Sequence, residues 1–321
     1  MKSNKESRLL KIFFDLIRGE GVNTRKLADY FQVSVRTIAR DLSEIKCILA
    51  DDRATFEYAE LMFDKQSQTY YLQTDALLKS NEMLAIVKIL LGSRGLEKNE
   101  LIQIIEKLQK QISCNDKKLM NLLMQKELYK YQEVKHDSGN VIGNLWKVSC
   151  EIEKKSCITI TYYKMNRERV KRKVYPEAIV FSEYYFYLIA YDPEEEKTKY
   201  FRLDRIVDIT VHRQEYVLQN PVNEGELKQK VHYMWPGEKK KIKFEFTGPS
   251  VQAVLDKIPT AQIIAKEGGR YTIEAEVQGD GIDFFLLSQG KWVKVLEPDS
   301  LVNKINQEIQ AMLDNYTETK G

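Results

Sequence analysis

Between residues 38 and 49 the apolar positions Ile38, Leu42, Ile45 and Leu49 recur at steps of four, three and four. At 3.6 residues per turn that spacing makes one buried stripe, and Ser34 just ahead of it is a residue type that caps helix N-termini. Upstream, Leu27, Ala28 and Phe31 supply the apolar face of a shorter helix, so residues 24–45 read as two helices joined by a tight turn. Arg36, Thr37 and Arg40 fall away from the stripe, and residues four apart share a helix face. Further on, Phe63 and the pair Tyr70-Tyr71 flank the polar run 64–68. Aromatic segments around a polar turn predict a β-hairpin over 56–72.

From residue 80 to about 131 the period turns helical again. Leu84, Val87 and Leu91 mark one stripe, Leu101, Ile105, Leu108 and Ile112 a second, and Leu119, Leu122 and Leu123 a third. The second has too few repeats for a free coiled coil, so these helices read as a connector packed on neighbouring domains or on a second subunit. The polar run 136–140 ends it. Short alternating segments follow at 157–163, 170–175, 177–181, 184–191 and 199–203, a pattern that predicts a small, strongly bent sheet or partial barrel. Arg172 shares a strand face with Val170 and Val174. A guanidinium there needs a partner, either an internal carboxylate or an anionic ligand. In the last 80 residues a strand (Ile242, Phe244, Phe246), a helix at 249–258, a hairpin across Gly268-Gly269, a helix at 281–288 and a strand at 292–296 give the order βαββαβ of a ferredoxin-like sandwich. Leu301, Ile305, Ile309 and Leu313 line a final helix after Pro298.

A chain of 321 residues with 43% hydrophobic content accommodates two or three domains with real cores. Lysine and arginine total 50 against 47 acidic residues, and the first 80 residues carry 13 basic and 12 acidic side chains, so any affinity for DNA must come from arrangement. The cysteines Cys47, Cys114, Cys150 and Cys157 have no CxxC spacing and the three histidines are scattered, which argues against disulfides and zinc. The N-terminus is charged and unlike a signal peptide, and no apolar run approaches a membrane span. The expectation is a soluble, cytoplasmic protein with no cofactor and no metal. Lacking a Gly-rich phosphate loop, a metal-ligand cluster or a nucleophile with a placed base, the sequence does not read as an enzyme.

The segment SVRTIARDL resembles the recognition helix of DeoR-type winged helix-turn-helix regulators, with Leu27-Ala28 at the expected distance upstream. The resemblance implies double-stranded DNA as partner and Thr24, Arg25, Ser34, Arg36, Thr37 and Arg40 as its contacts, with Lys65 at the tip of the wing. Arginine grips guanine bidentately in the major groove, and threonine meets the thymine methyl.

A second resemblance lies downstream. KVYPEAIVF, YYFYLIAYD and YFRLDRI are similar to the WYL domain, a bacterial Sm-like β-fold. The tripeptide that names that family reads Phe186-Tyr187-Leu188 here, a departure that keeps an aromatic in place of tryptophan. Arg172 precedes Pro176 by four residues as in the family, Arg202 and Arg205 match its closing arginine pair, and Tyr162 and Tyr187 stand where its strands carry aromatics. LLSQGKWVKVLEP resembles the C-terminal extension that follows WYL domains.

Together these imply an α+β multidomain chain. Its parts are a winged helix-turn-helix over 1–75, a helical connector over 76–138, a WYL domain over 139–225 and the extension over 238–321. The resemblance implies a homodimeric bacterial transcriptional regulator that senses an anionic effector, single-stranded nucleic acid or a nucleotide. The residues implied are Tyr162, Lys164, Arg167, Arg172, Tyr187, Arg202 and Arg205. Guanidinium groups fork onto phosphates and aromatic rings stack on bases. The loop 164–173 adds six basic residues against Glu168 alone. Asp204, adjacent to Arg205, offers that arginine a structural ion pair instead. A rival reading is a nucleic-acid-binding accessory protein whose main activity is single-strand binding by the WYL module.

Overall fold

The structure, a computed structural model, describes residues 4–51, 59–74, 77–137, 140–217 and 222–317. The expected boundaries after residues 75 and 138, and the Phe56 end of the hairpin, lie outside the described residues. The chain divides into two compact units, Met1–Lys135 and His136–Gly321. It is a mixed α and β molecule with three antiparallel sheets among the described residues.

The first unit begins with α1 (Lys5–Ile17), α2 (Thr24–Phe31) and α3 (Val35–Asp51), followed by the hairpin β1 (Glu60–Asp64) and β2 (Thr69–Gln73). Asn23 caps α2 by accepting from the N–H groups of Arg25 and Lys26, and its amide also donates to the Gln68 carbonyl at 2.8 Å, which ties the hairpin turn to the helix. Ile38, Leu42, Ile45 and Leu49 are buried, as the spacing predicts, against Ile12, Leu16, Ala28 and Phe31. Phe63 pairs with Tyr70 across the hairpin. Within this apolar cluster Arg8 of α1 and Asp41 of α3 form a buried, bidentate ion pair. It fixes α3 against α1 and went unread in the sequence, because Asp41 sits one residue before Leu42 on the stripe.

Three further helices complete the unit: α4 (Ser80–Ser93), α5 (Lys98–Leu108) and α6 (Cys114–Tyr129). Val87, Leu91, Leu101, Ile105 and Ile112 are buried as expected, but the third stripe is corrected. Leu119, Leu122 and Leu123 are exposed, and α6 buries Met120 and Met124 instead.

The second unit opens with α7 (Val141–Glu153), which the sequence reading missed. Then come β3 (Ser156–Tyr163), β4 (Arg169–Ser182), β5 (Tyr185–Asp192), β6 (Lys197–Arg202) and β7 (Ile206–Glu215), in sheet order β6-β5-β4-β3-β7. The two strands expected at 170–175 and 177–181 are one. Strand β4 runs through Pro176 because the register shifts between Pro176 and Ala178, where a bulge tolerates the missing N–H. Helix α7 docks on this sheet through Val148 and through Asn144, whose amide donates to the carbonyls of Leu203 and Ile206. Helix α8 (Glu224–Lys230) covers another patch, placing Leu227 against Ala178, Val180 and Ile189.

The remainder comprises β8 (Lys239–Phe246), α9 (Val251–Lys257), β9 (Gln262–Glu267), β10 (Arg270–Gln278), α10 (Gly281–Ser288), β11 (Val293–Glu297) and α11 (Asp299–Thr317). Its sheet order is β11-β8-β10-β9, around a core of Ile242, Phe244, Ile273, Ile282 and Leu286. Leu301 and Ile305 reach that core, whereas Ile309 and Leu313, further along the same helix face, are 52% and 54% exposed. Between α8 and β8 the loop through His232 and Trp235 lies so close to Gly279 and Gly281 that a Cβ at either glycine would overlap the loop carbonyls. Tyr233 and Met234 in this loop both take positive φ, 51° and 50°.

Two expectations follow. Asp41→Ala removes the carboxylate that meets the buried Arg8 guanidinium bidentately, and should lower stability by about 3–5 kcal/mol in chemical denaturation. Burial, with the Lys257 charge adding to it, holds the His232 pKa down at about 4 against an ordinary 6.5. Its contribution to stability is therefore complete above pH 6.5 and is lost as the pH falls towards 4. The melting temperature should drop across that window, and His232→Leu should flatten the drop.

Candidate nucleic-acid interface and anion site

Helix α3 starts where Ser34 Oγ accepts the Thr37 N–H at 3.1 Å, with the two hydroxyls 2.9 Å apart. Ser34 thus holds the helix start, and Thr37, half-buried, shares in the cap. Arg36 and Arg40 stand exposed on α3 and have no carboxylate partner among the described residues. At the start of α2, Thr24 is half-buried and Arg25 exposed. Lys65 is exposed in the hairpin turn, which is shaped by Asp64 accepting the N–H groups of Gln66 and Ser67. Those bonds, with the Ser67 hydroxyl contributing most, hold the Asp64 carboxyl below its ordinary range. The outer side of α3 therefore presents two exposed guanidinium groups, without a carboxylate partner among the described residues, on a helix anchored from behind by the Arg8–Asp41 pair.

The residues expected to hold an anion separate into groups. Arg202, at the end of β6, is bidentate to Asp204 at 3.0 and 2.6 Å and lies over the Tyr185 ring, 3.4 Å from its centroid. Asp204 is buried and also faces His136 Nδ1 at 3.5 Å. Burial pushes its carboxyl up, but the bonds from His136 and Arg202 prevail and bring it to about 2. Asp204 is thus the partner of Arg202, not of Arg205. Arg205 faces Asp137 Oδ2 at 3.6 Å, and its Nε is buried with no hydrogen-bond partner. Arg167 donates to Asp137 Oδ1 at 2.6 Å from the β3–β4 turn, where it holds a φ of 66°. Tyr187 lies close to this group: burial pushes its hydroxyl up while Arg202 and Arg205 pull it down. Arg167, Arg202, Arg205, Tyr185 and Tyr187 therefore gather around His136, Asp137 and Asp204, an arrangement suited to gripping an anion.

Arg172 lies elsewhere. It pairs with Glu194 at 3.4 Å and Glu195 at 3.9 Å, two exposed acids of the β5–β6 turn, so its partners are carboxylates of the chain at the surface and not an internal one. Tyr187 is in register with Arg202, and Asp192 with Lys197. Five residue steps along β5, at about 3.3 Å each, put roughly 16 Å between the two ends of that hairpin. Arg172 and Arg202 do not share a pocket. Lys164 pairs with Glu168 at 2.9 Å, and Tyr162 packs edge-on against Phe201, 5.3 Å between centroids, at the margin of the sheet core. The sequence reading did not select Tyr185, His136 or Asp137. Tyr185 adjoins the Phe186-Tyr187-Leu188 tripeptide, while His136 and Asp137 fall in a polar run whose sequence marks only a boundary. Among the described residues, no group of three or more His, Cys, Asp or Glu side chains could hold a metal ion, and no helix is long and apolar enough to cross a membrane.

The chain is similar to known proteins along most of its length. The HTH-type transcriptional regulator YobV of Bacillus subtilis strain 168, itself uncharacterized, is 23% identical over 342 aligned positions, covering 97% of this chain and 99% of that protein. Among solved structures, the proteasome accessory factor B/C (PafBC) of Arthrobacter aurescens matches at 17% identity and a TM-score of 0.32, over 98% of this chain. This chain spans 49% of the PafBC chain. A CRISPR Cas-related protein matches at 17% identity and a TM-score of 0.38, over 77% of this chain and 76% of that one. Residues 147–211 match the WYL domain and residues 238–313 the WCX domain. The chain carries a WYL domain, which contains Arg167, Arg202 and Arg205, followed by a WCX domain.

Proposed function

We propose that this chain is a bacterial, sequence-specific DNA-binding transcriptional regulator whose WYL domain binds a nucleic-acid or nucleotide-like anion that modulates DNA binding. The observation that carries the reading is the pair of exposed arginines Arg36 and Arg40, without a carboxylate partner among the described residues, on a helix whose opposite face is buried. The similarity to YobV, named as an HTH-type transcriptional regulator, supports it. In this reading α2, α3 and the β1–β2 hairpin form a winged helix-turn-helix of the DeoR type. The sheet β3–β7 is an Sm-like fold, and β8–β11 with α9 and α10 make a ferredoxin-like sandwich. The protein binds and does not catalyse. Lys65 serves as a phosphate contact at the wing.

A homodimer belongs to the same reading, because winged-helix readers bind paired half-sites. The surface that fits is the end of α11. Ile309, Met312, Leu313 and Tyr316 follow the helical spacing and are all about half or more exposed, and Ile309 and Met312 border an apolar cavity of about 390 Å³ that Leu286 and Val293 also line. Lys291 on the cavity rim and Glu308 on the helix have no ion partner among the described residues, so a second copy can supply each with its opposite charge.

Fluorescence anisotropy at fixed salt on labelled duplex from the gene's own upstream region tests the reader. Each bidentate guanine contact is worth about 1–3 kcal/mol. Arg36→Ala with Arg40→Ala should therefore weaken duplex binding by about a hundredfold, with the melting temperature unchanged. Unchanged duplex affinity would sink the reading; no duplex binding in either protein, with single strands still bound, would favour the accessory role. By sedimentation, Leu313→Glu should shift the protein from dimer to monomer.

A further inference from the structure

The anion site of the WYL domain is already occupied by the chain's own acid. Asp137 sits between Arg167 and Arg205, 2.6 Å from the first and 3.6 Å from the second. The fit is incomplete. A distance of 3.6 Å is too long for a hydrogen bond, and Arg205 Nε is buried with no hydrogen-bond partner among the described residues. One carboxylate therefore satisfies Arg167 and leaves a buried donor on Arg205 unmet. A phosphate group, with three oxygens and a larger charge, can engage both guanidinium groups at once. Arg167 is aimed at this point by a turn that gives it a left-handed φ of 66°, an uncommon conformation for a residue with a Cβ.

The position of Asp137 in the chain makes its displacement consequential. It is the second residue of the unit that begins at His136, and Lys135 is the last residue of the unit that carries α3. Its neighbour His136 is fastened by the same cluster, against Asp204 at 3.5 Å and with its ring 6.2 Å from that of Tyr185. Asp137 thus lies in the chain segment that leads from the first unit into the second.

We propose that Asp137 is an internal counter-anion, exchanged for a phosphate group of the effector, so that effector binding frees the segment at 135–137 that tethers the DNA-binding unit. This rests on the anion-binding reading of the WYL domain. The condition for a ligand to shift an equilibrium is met, because the phosphate binds only the state from which Asp137 has left. Asp204 stays with Arg202 in both states, its carboxylate buried and bidentately held.

The test uses the full chain with a short fluorescein-labelled oligothymidylate as probe, and inorganic pyrophosphate as competitor. Asp137→Asn removes the competing charge and should bind the probe about tenfold more tightly, the size of a typical coupling between sites. In the wild type, the probe should speed tryptic cleavage after Lys135 severalfold. Arg167→Gln, which releases Asp137 without altering the cleavage sequence, should be cleaved fast with no probe present. Displacement by pyrophosphate would place recognition in the phosphate alone, and its failure would place it in the strand; either supports the exchange. Probe binding that is no tighter in Asp137→Asn, with cleavage after Lys135 unmoved by probe and by Arg167→Gln, would overturn the counter-anion role and leave the anion site standing. If neither protein binds oligonucleotide or pyrophosphate while both melt as folded proteins, the anion-binding reading fails and takes the exchange with it.

Discussion

A charge taken out of water must meet its counter-charge, because an unpaired buried ion costs several kcal/mol and no packing nearby offsets it. That constraint organises both units. In the first it locks Arg8 to Asp41 and thereby sets α3 against α1, so that the orientation of the helix bearing Arg36 and Arg40 is fixed by electrostatics at its back. In the second it draws Arg202 onto Asp204 and Lys199 onto Asp192. It also brings Arg172 to the acidic turn at Glu194 and Glu195. Where the pairing is complete the arginine is a fastener. Where it is incomplete, as at Arg205, a buried donor stays without a hydrogen-bond partner among the described residues.

Local periodicity carried the sequence reading furthest. The stripe from Ile38 to Leu49 and the alternation of Ile242, Phe244 and Phe246 depend on neighbours within a few residues, and the structure buries them all. The reading lost its way where two faces competed. On α6, leucines and methionines interleave, and the helix turns Met120 and Met124 inward rather than Leu119, Leu122 and Leu123. Pattern alone does not rank two apolar faces; the packing of α4 against α6 does. Pro176 split β4 in the reading for a sound reason, the absent N–H, which a bulge two residues wide then accommodates. Helix α7 was hidden by its setting, directly after a polar run that looked like the start of a β-rich domain.

The site was legible in residue type and not in arrangement. Arg202 and Arg205 stood out by resemblance, and Arg172 by its place on an apolar strand face. Its true partners lie 22 and 23 residues further along the chain, a relation set by the β5–β6 turn and invisible to strand alternation. The acids that complete the arginine cluster are equally remote: Asp137 precedes Arg205 by most of a domain and contacts it only because the sheet folds back. Sequence shows which side chains can bind an anion. The three-dimensional placement of carboxylates decides which of them are left to do so.

The loop through His232 and Trp235 bears on how this protein can vary over time. It joins the WYL and WCX domains, and Gly279 and Gly281 touch its carbonyls so closely that neither can gain a side chain. Two positions some fifty residues downstream are thus bound to the shape of a linker that would otherwise drift freely. The contacts fall on His232 at one end of the loop and on Trp235 and Pro236 near the other, so both ends of it are seated against the glycines. The joint between the two domains is therefore inherited as one unit with the first turn of α10, and recombination that exchanges WCX domains between relatives must carry the loop along with the glycines that receive it.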